Sequence, residues 1–133
     1  MNQTNTSSFA HITLATRDVS SSAKFFQQTL GWTPIDRPQN IDCVSAWLAV
    51  APDQELHLVQ DPAFEISPFE REFGRHVAIN YPATGFSELK KKLVEHGAEL
   101  IAPERDTPFE RFFFRDQNGY VFEVIDSHRT PEA

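Results

Sequence analysis

Cysteine is all but missing from this chain: Cys43 is the sole one in 133 residues. It cannot close an intramolecular disulfide, and a chain of this length can bury a core without such staples. A reducing cytosol is therefore the expected compartment. Long apolar runs are missing too. None approaches the ~20 residues that a membrane-crossing helix needs. The opening octet, MNQTNTSS, lacks the basic and apolar regions of a signal peptide. Basic residues are in short supply, 12 against 19 acidic ones for a net charge of -7. Nucleic acid and anionic membrane both favour a Lys/Arg surplus, so neither is expected as a partner.

What the chain does have is a core. The apolar fraction is 40% and the aromatic fraction 12%, with 12 phenylalanines, a composition that folds rather than stays disordered. Residues 1–8 read as a disordered lead-in and 128–133 as a tail. Between them, 9–127 reads as one domain.

The order of elements inside that domain repeats. FAHITLAT (9–16) reads as a strand. Asp18 is placed as an N-cap, and Val19, Ala23, Phe26 and Leu30 recur on one helical face until Gly31 ends it. Strand patterns follow at 32–36, 42–50 and 55–60, separated by PQN and PDQ turns. Residues 61–75 show no clear period and read as a connection. The series then restarts. HVAINY (76–81) reads as a strand, Phe86, Leu89 and Leu93 mark a helix stopped by Gly97, and strands are expected at 99–102, 111–115 and 120–126. The fold class expected is α+β: two tandem β-α-β-β-β modules, 9–60 and 76–127, forming curved mixed sheets around a metal-binding cleft.

Polar residues sit at matching places in the two halves. His11 to His57 spans 46 residues and His76 to Glu123 spans 47. Side chains alternate across a strand, so Ile12 and Leu14, Leu56 and Leu58, Val77 and Ile79, and Phe122 and Val124 can pack beneath helices. The opposite faces then carry His11, His57, His76 and Glu123, a convergent polar set of the kind that forms small-molecule sites. His11, His76 and Glu123 are the expected metal ligands. Two imidazoles and a carboxylate with open positions make the facial triad associated with non-haem Fe(II), and Mn(II), Ni(II), Zn(II) or Co(II) suit similar donors. A buried unpaired carboxylate is costly, so Glu123 needs a metal or a cation, and Arg111 or Arg115 could be that cation. His57 is the expected catalytic residue; ligand, general base and hydrogen-bond donor are all open to it. Glu55 shares its face and is a second candidate ligand. Cys43 and Trp47, at one parity on the third strand, can line the pocket or pack in the core. His96 reads as a helix-end residue, His128 as part of the tail, and Lys90 to Lys92 as a solvated face.

These residues resemble the vicinal oxygen chelate superfamily, which includes glyoxalase I, extradiol dioxygenases, fosfomycin resistance proteins and bleomycin resistance proteins. The resemblance runs from FAHITLATRDVSSSAKFFQQTLGW through GRHVAINYP to FFFRDQNGYVFEVID. It implies that His11, His76 and Glu123 match the metal ligands of the fosfomycin-resistance and extradiol patterns. It places His57 where glyoxalase I-like members bring a fourth ligand that doubles as a base, while dioxygenase-like members use a nearby His as acid or base. Phe113 departs from the pattern, standing where extradiol and fosfomycin enzymes tend to have Tyr. The function implied is a cytoplasmic, metal-dependent enzyme, dioxygenase or lyase, acting on a small substrate that chelates the ion through adjacent oxygens. A glyoxalase I-like isomerase and a metal-free drug- or metabolite-binding protein of the bleomycin resistance type are the alternatives. A homodimer, with sites built from halves of two chains, is implied by the resemblance.

Overall fold

The computed structural model describes residues 6–132. The first five residues of the expected lead-in and the last residue of the expected tail lie outside the described part. The elements run β1 (His11–Thr16), α1 (Val19–Thr29), β2 (Thr33–Ile35), β3 (Ser45–Ala51), β4 (Gln54–Gln60), β5 (Val77–Tyr81), a 3-10 turn (Ala83–Gly85), α2 (Phe86–Glu95), β6 (Glu99–Ile101), β7 (Arg111–Arg115) and β8 (Val121–Asp126). This is the expected strand-helix-three-strand order, twice. The chain divides into two compact units. The first runs to Gln27 and from Gly31 to Phe64; the second runs from Glu65 and takes in residues 28–30.

Each unit holds one four-stranded mixed sheet, ordered β1-β4-β3-β2 in the first and β5-β8-β7-β6 in the second. The first strand of each sheet pairs in parallel with the fourth, and the other neighbours are antiparallel. Two helix ends follow their sequence signals. Asp18 accepts the Ser21 N–H at 3.1 Å through Oδ1, capping α1. Gly97 closes α2 at φ 92°, in the left-handed region that glycine enters without a Cβ clash.

In the first unit, Leu14, Leu48, Leu56 and Leu58 are buried with Val19, Ala23 and Phe26 of α1. Phe26 stacks on Trp32, ring centroids 5.3 Å apart. More of the helix is buried than its single predicted face, for Ser22, Phe25 and Thr29 are also enclosed. In the second unit, Phe86, Leu89 and Leu93 of α2 are buried along with Phe112, Phe114, Phe122 and Val124. Register explains the cluster: Phe114 lies opposite Phe122 and Phe112 opposite Val124. The Phe114 and Phe122 rings stack at 5.0 Å, and Phe86 meets Phe112 edge-on at 5.1 Å. Parity thus places Leu14, Leu56, Leu58, Phe122 and Val124 in the core, whereas Ile12, Val77 and Ile79, assigned to the same packing faces, are half-buried.

Two expectations need correction. β3 starts at Ser45, so Cys43 is an exposed loop residue and neither lines a strand face nor packs in a core. Residues 61–75 are also more than a connection. The Arg75 N–H donates to the Phe69 carbonyl at 2.7 Å, closing a turn around Gly74. Glu70, 4% exposed, takes the Val121 N–H at 2.9 Å and the Arg75 guanidinium at 2.8 Å. Buried polar contacts, with no hydrophobic period to announce them, tie this segment to β8.

Candidate functional site

The four polar residues singled out by parity fall into two groups, one in each unit. In the first unit, parallel pairing sets His11 against Glu55 and Thr13 against His57, and antiparallel pairing sets Trp47 against His57. Directly paired residues share a face, so His11, Glu55, His57 and Trp47 lie on one side of the sheet. Their rings form a sandwich. His57 stacks on Trp47 at 3.8 Å and 3°, and on His11 at 3.9 Å and 13°. His57 is buried whereas His11 is exposed.

The His57 ring is also held at its edge. Its Nε2 lies 2.8 Å from Glu55 Oε1. An ionised carboxylate can only accept, so Nε2 carries the proton and Nδ1 is left with a lone pair in the neutral ring. The sequence raised Glu55 as a rival ligand; the structure makes it the partner of His57. On the same side an open hollow of about 470 Å³ is lined by Thr33, Ile35, Ala49, Ala51 and Glu55, a volume suited to a small molecule.

In the second unit, His76 sits immediately before β5, and its Nε2 lies 3.1 Å from Glu123 Oε1. Its Nδ1 donates to the Arg71 carbonyl at 3.2 Å. The other oxygen of Glu123 accepts from Arg111 Nη1 at 3.0 Å. Arg111 is thus the cation that the carboxylate needed, and Arg115 turns instead to the Gly119 carbonyl and to Glu99. Phe113, 1% exposed, pairs across the sheet with Glu123 and sets its ring edge-on to His76 at 5.4 Å. The position where the sequence resemblance sets an expectation of Tyr is a packed apolar ring.

A residue that the sequence gave no reason to single out completes this group. Glu72 Oε2 accepts from Arg111 Nη2 at 2.9 Å, and its carboxylate also takes the Glu104 and Arg105 N–H groups at 2.6 and 3.1 Å. Burial pushes the Glu72 carboxyl up, but the Glu104 N–H, the Arg111 guanidinium and the Arg105 N–H outweigh it and hold the group below its ordinary value. Arg111 and Glu72 are buried, with 3% and 8% of their side chains exposed.

Within each unit taken by itself, the described residues hold no group of three His, Cys, Asp or Glu side chains placed for one metal ion. The donors in the second unit do fit two of its positions. Two ligand atoms bonded at about 2.1 Å and set at a right angle lie ~3 Å apart, and His76 Nε2 and Glu123 Oε1 are 3.1 Å apart. His76 Nδ1 is committed to a backbone carbonyl, which fixes the ring; Nε2 faces an acceptor as well and carries a proton toward Glu123, which it would release on coordinating an ion.

The family model of the Glyoxalase/Bleomycin resistance protein/Dioxygenase superfamily matches residues 8–124. The chain belongs to that superfamily. A curated relative, "Glyoxylase I 4" of Arabidopsis thaliana, is 27% identical over 128 residues, covering 93% of this chain and 73% of the relative. Among solved structures, the superfamily fold recurs in the fosfomycin resistance protein FosX of Mesorhizobium loti, at TM-score 0.72 and 16% identity, covering 92% of each chain. A glyoxylase/bleomycin resistance protein/dioxygenase domain from Frankia sp. aligns at TM-score 0.74 and 20% identity, covering 92% of this chain and 98% of that one. A FosX mutant from Listeria monocytogenes, complexed with Mn(II) and 1S,2S-dihydroxypropylphosphonic acid, aligns at TM-score 0.73 and 20% identity over 91% and 92% of the two chains.

Proposed function

We propose that this superfamily member is a metal-dependent enzyme acting on a small substrate that binds the ion through adjacent oxygens. The observation that carries the reading is the His76–Glu123 pair, with its donor atoms 3.1 Å apart and the His76 ring fixed through Nδ1. His76, Glu123 and His11 are the proposed ligands, His11 coming from the same chain or from a second copy. The Mn(II) in the FosX complex places Mn(II) beside Fe(II) among the ions to try. Such an ion would act as a Lewis acid on the substrate oxygens.

The remaining chemistry belongs to the side chains. His57 is the proposed proton carrier. Glu55 holds Nε2–H, so the proton arrives at and leaves from Nδ1, and the carboxylate stabilises the imidazolium that forms. The rings of Trp47 and His11 keep the imidazole in one plane, which limits the motion lost in each transfer. The hollow beside Glu55 is the proposed seat for the body of the substrate.

Metal analysis tests the reading. Protein purified without added metal, then offered Fe(II), Mn(II), Ni(II) and Zn(II), is expected to retain one ion per site, and His76→Ala is expected to lose it. Oxygen uptake with catechols would then identify ring cleavage, and hemithioacetal isomerisation would identify a glyoxalase I-like lyase. One observation favours a second reading, a metal-free binding protein: Arg111 already neutralises Glu123 at 3.0 Å. Failure of the folded wild type to hold any of the four ions would establish that reading instead.

A further inference from the structure

We infer that Arg111, held in place by Glu72, is a positioning residue that confines Glu123 to a single oxygen toward the metal. The inference rests on the proposed metal reading and adds a constraint which that reading lacks. Glu123 has two carboxylate oxygens, and a free carboxylate can bind an ion through one or both. Here they are treated differently. Oε1 faces His76 Nε2 at 3.1 Å, whereas Oε2 takes the Arg111 Nη1–H at 3.0 Å. One Oε2 lone pair is taken by the Arg111 guanidinium, which draws that oxygen away from His76 Nε2.

Its immobility follows from its surroundings. The Arg111 side chain is 3% exposed, and its second nitrogen donates to Glu72 and to the Arg105 carbonyl. Glu72 is itself fixed by two backbone N–H groups from the β6–β7 connection. The guanidinium also lies over the Phe113 ring at 5.3 Å. A planar fork held by two carboxylates is a rigid device, which a lysine could not reproduce. Arg111 has no role as a substrate anchor in this arrangement, because its charge is matched by Glu72 and Glu123 and it is closed to solvent.

The chemical consequence lies in the number of open positions. An ion held by two imidazoles and one carboxylate oxygen keeps one more position for water or substrate than an ion chelated by both oxygens. A substrate that binds through two oxygens needs those positions.

The test uses Mn(II) alone as the probe. Glu72→Gln combined with Arg111→Met removes one negative and one positive charge, so the net charge near the ion is conserved and only the clamp is lost. Arg111 also pairs with Glu123, so the variant leaves that carboxylate to the bound Mn(II) for its positive partner, and thermal unfolding with Mn(II) present checks that it folds. Water-proton relaxation then counts the waters on bound Mn(II). The double variant is expected to carry one fewer water than wild type, because the freed Oε2 takes that position. Equal hydration in the two proteins would overturn the inference while leaving the metal reading intact. Wild type that binds no Mn(II), or binds it no better than His76→Ala does, would overturn the metal reading and the inference together. The infrared difference spectrum of wild type on adding Mn(II) needs no variant. A carboxylate bound through one oxygen shows a wide splitting of its two stretches and supports the inference; a narrow splitting from a two-oxygen carboxylate overturns it.

Discussion

At the scale of single residues, the unequal treatment of the two sheet faces matters most. His57 and Glu123 are 8% exposed each, yet both keep polar partners, as buried polar groups must. If His57 carries protons rather than binding the ion, His57→Gln should leave Mn(II) affinity unchanged and lower turnover about 10²-fold or more. A fall in metal affinity measured by titration would make it a ligand instead. Asp116 gives a prediction in pH. Burial pushes its carboxyl up to about 6, against the pull of the Tyr120, Asn118 and Gly119 N–H groups. The folded state therefore binds this proton more tightly than the unfolded chain. Its contribution to stability is complete below the ordinary value of 3.8 and is lost as pH rises through about 6. Asp116→Asn, which keeps the Oδ1 acceptor, should flatten the urea-unfolding free energy between pH 4 and 6 by about 2–3 kcal/mol relative to wild type.

At the scale of elements, the sheets explain what the sequence could and could not reveal. Strand alternation placed Leu56, Leu58, Phe122 and Val124 in the core and His57 and Glu123 opposite, because period two is a property of the backbone itself. Helix signals at Asp18, Gly31 and Gly97 worked for the same reason, being local. Glu72 was invisible because its part depends on a guanidinium 39 positions away in sequence and on the N–H groups of a distant loop. No period marks such a residue. Glu55 was seen as a polar neighbour of His57, but only the structure turned it from competitor to partner. The packing side of the second sheet is open to a direct check. Phe114 is 0% exposed and stacked on Phe122, so Phe114→Ala should cost about 3–5 kcal/mol in denaturant unfolding. Gly119 should be equally intolerant. It sits at φ 98°, and a Cβ there would meet Ile66 at 2.9 Å, so Gly119→Ala is expected to lower the unfolding midpoint.

At the scale of the whole molecule, duplication is the governing fact. Two units of the same strand order each carry polar side chains on the sheet face opposite Leu56 and Leu58 or Phe122 and Val124. One holds an imidazole with a carboxylate beside it, and the other a carboxylate with an imidazole beside it. No helix among the described residues is long and apolar enough to cross a membrane. A homodimer is proposed from the superfamily resemblance, and sedimentation equilibrium is expected to give about twice the mass of one chain; a single-chain mass would exclude it. The ring sandwich in the first unit also has an optical use. The chain has only two tryptophans, Trp32 and Trp47, and both lie in that unit, one against Phe26 and the other against His57. Indole emission is therefore a reporter confined to half the protein. With Trp32 replaced by Phe, the remaining emitter rests on the very imidazole proposed to carry the proton, so a compound that reaches His57 announces itself as a change in colour or brightness without any label.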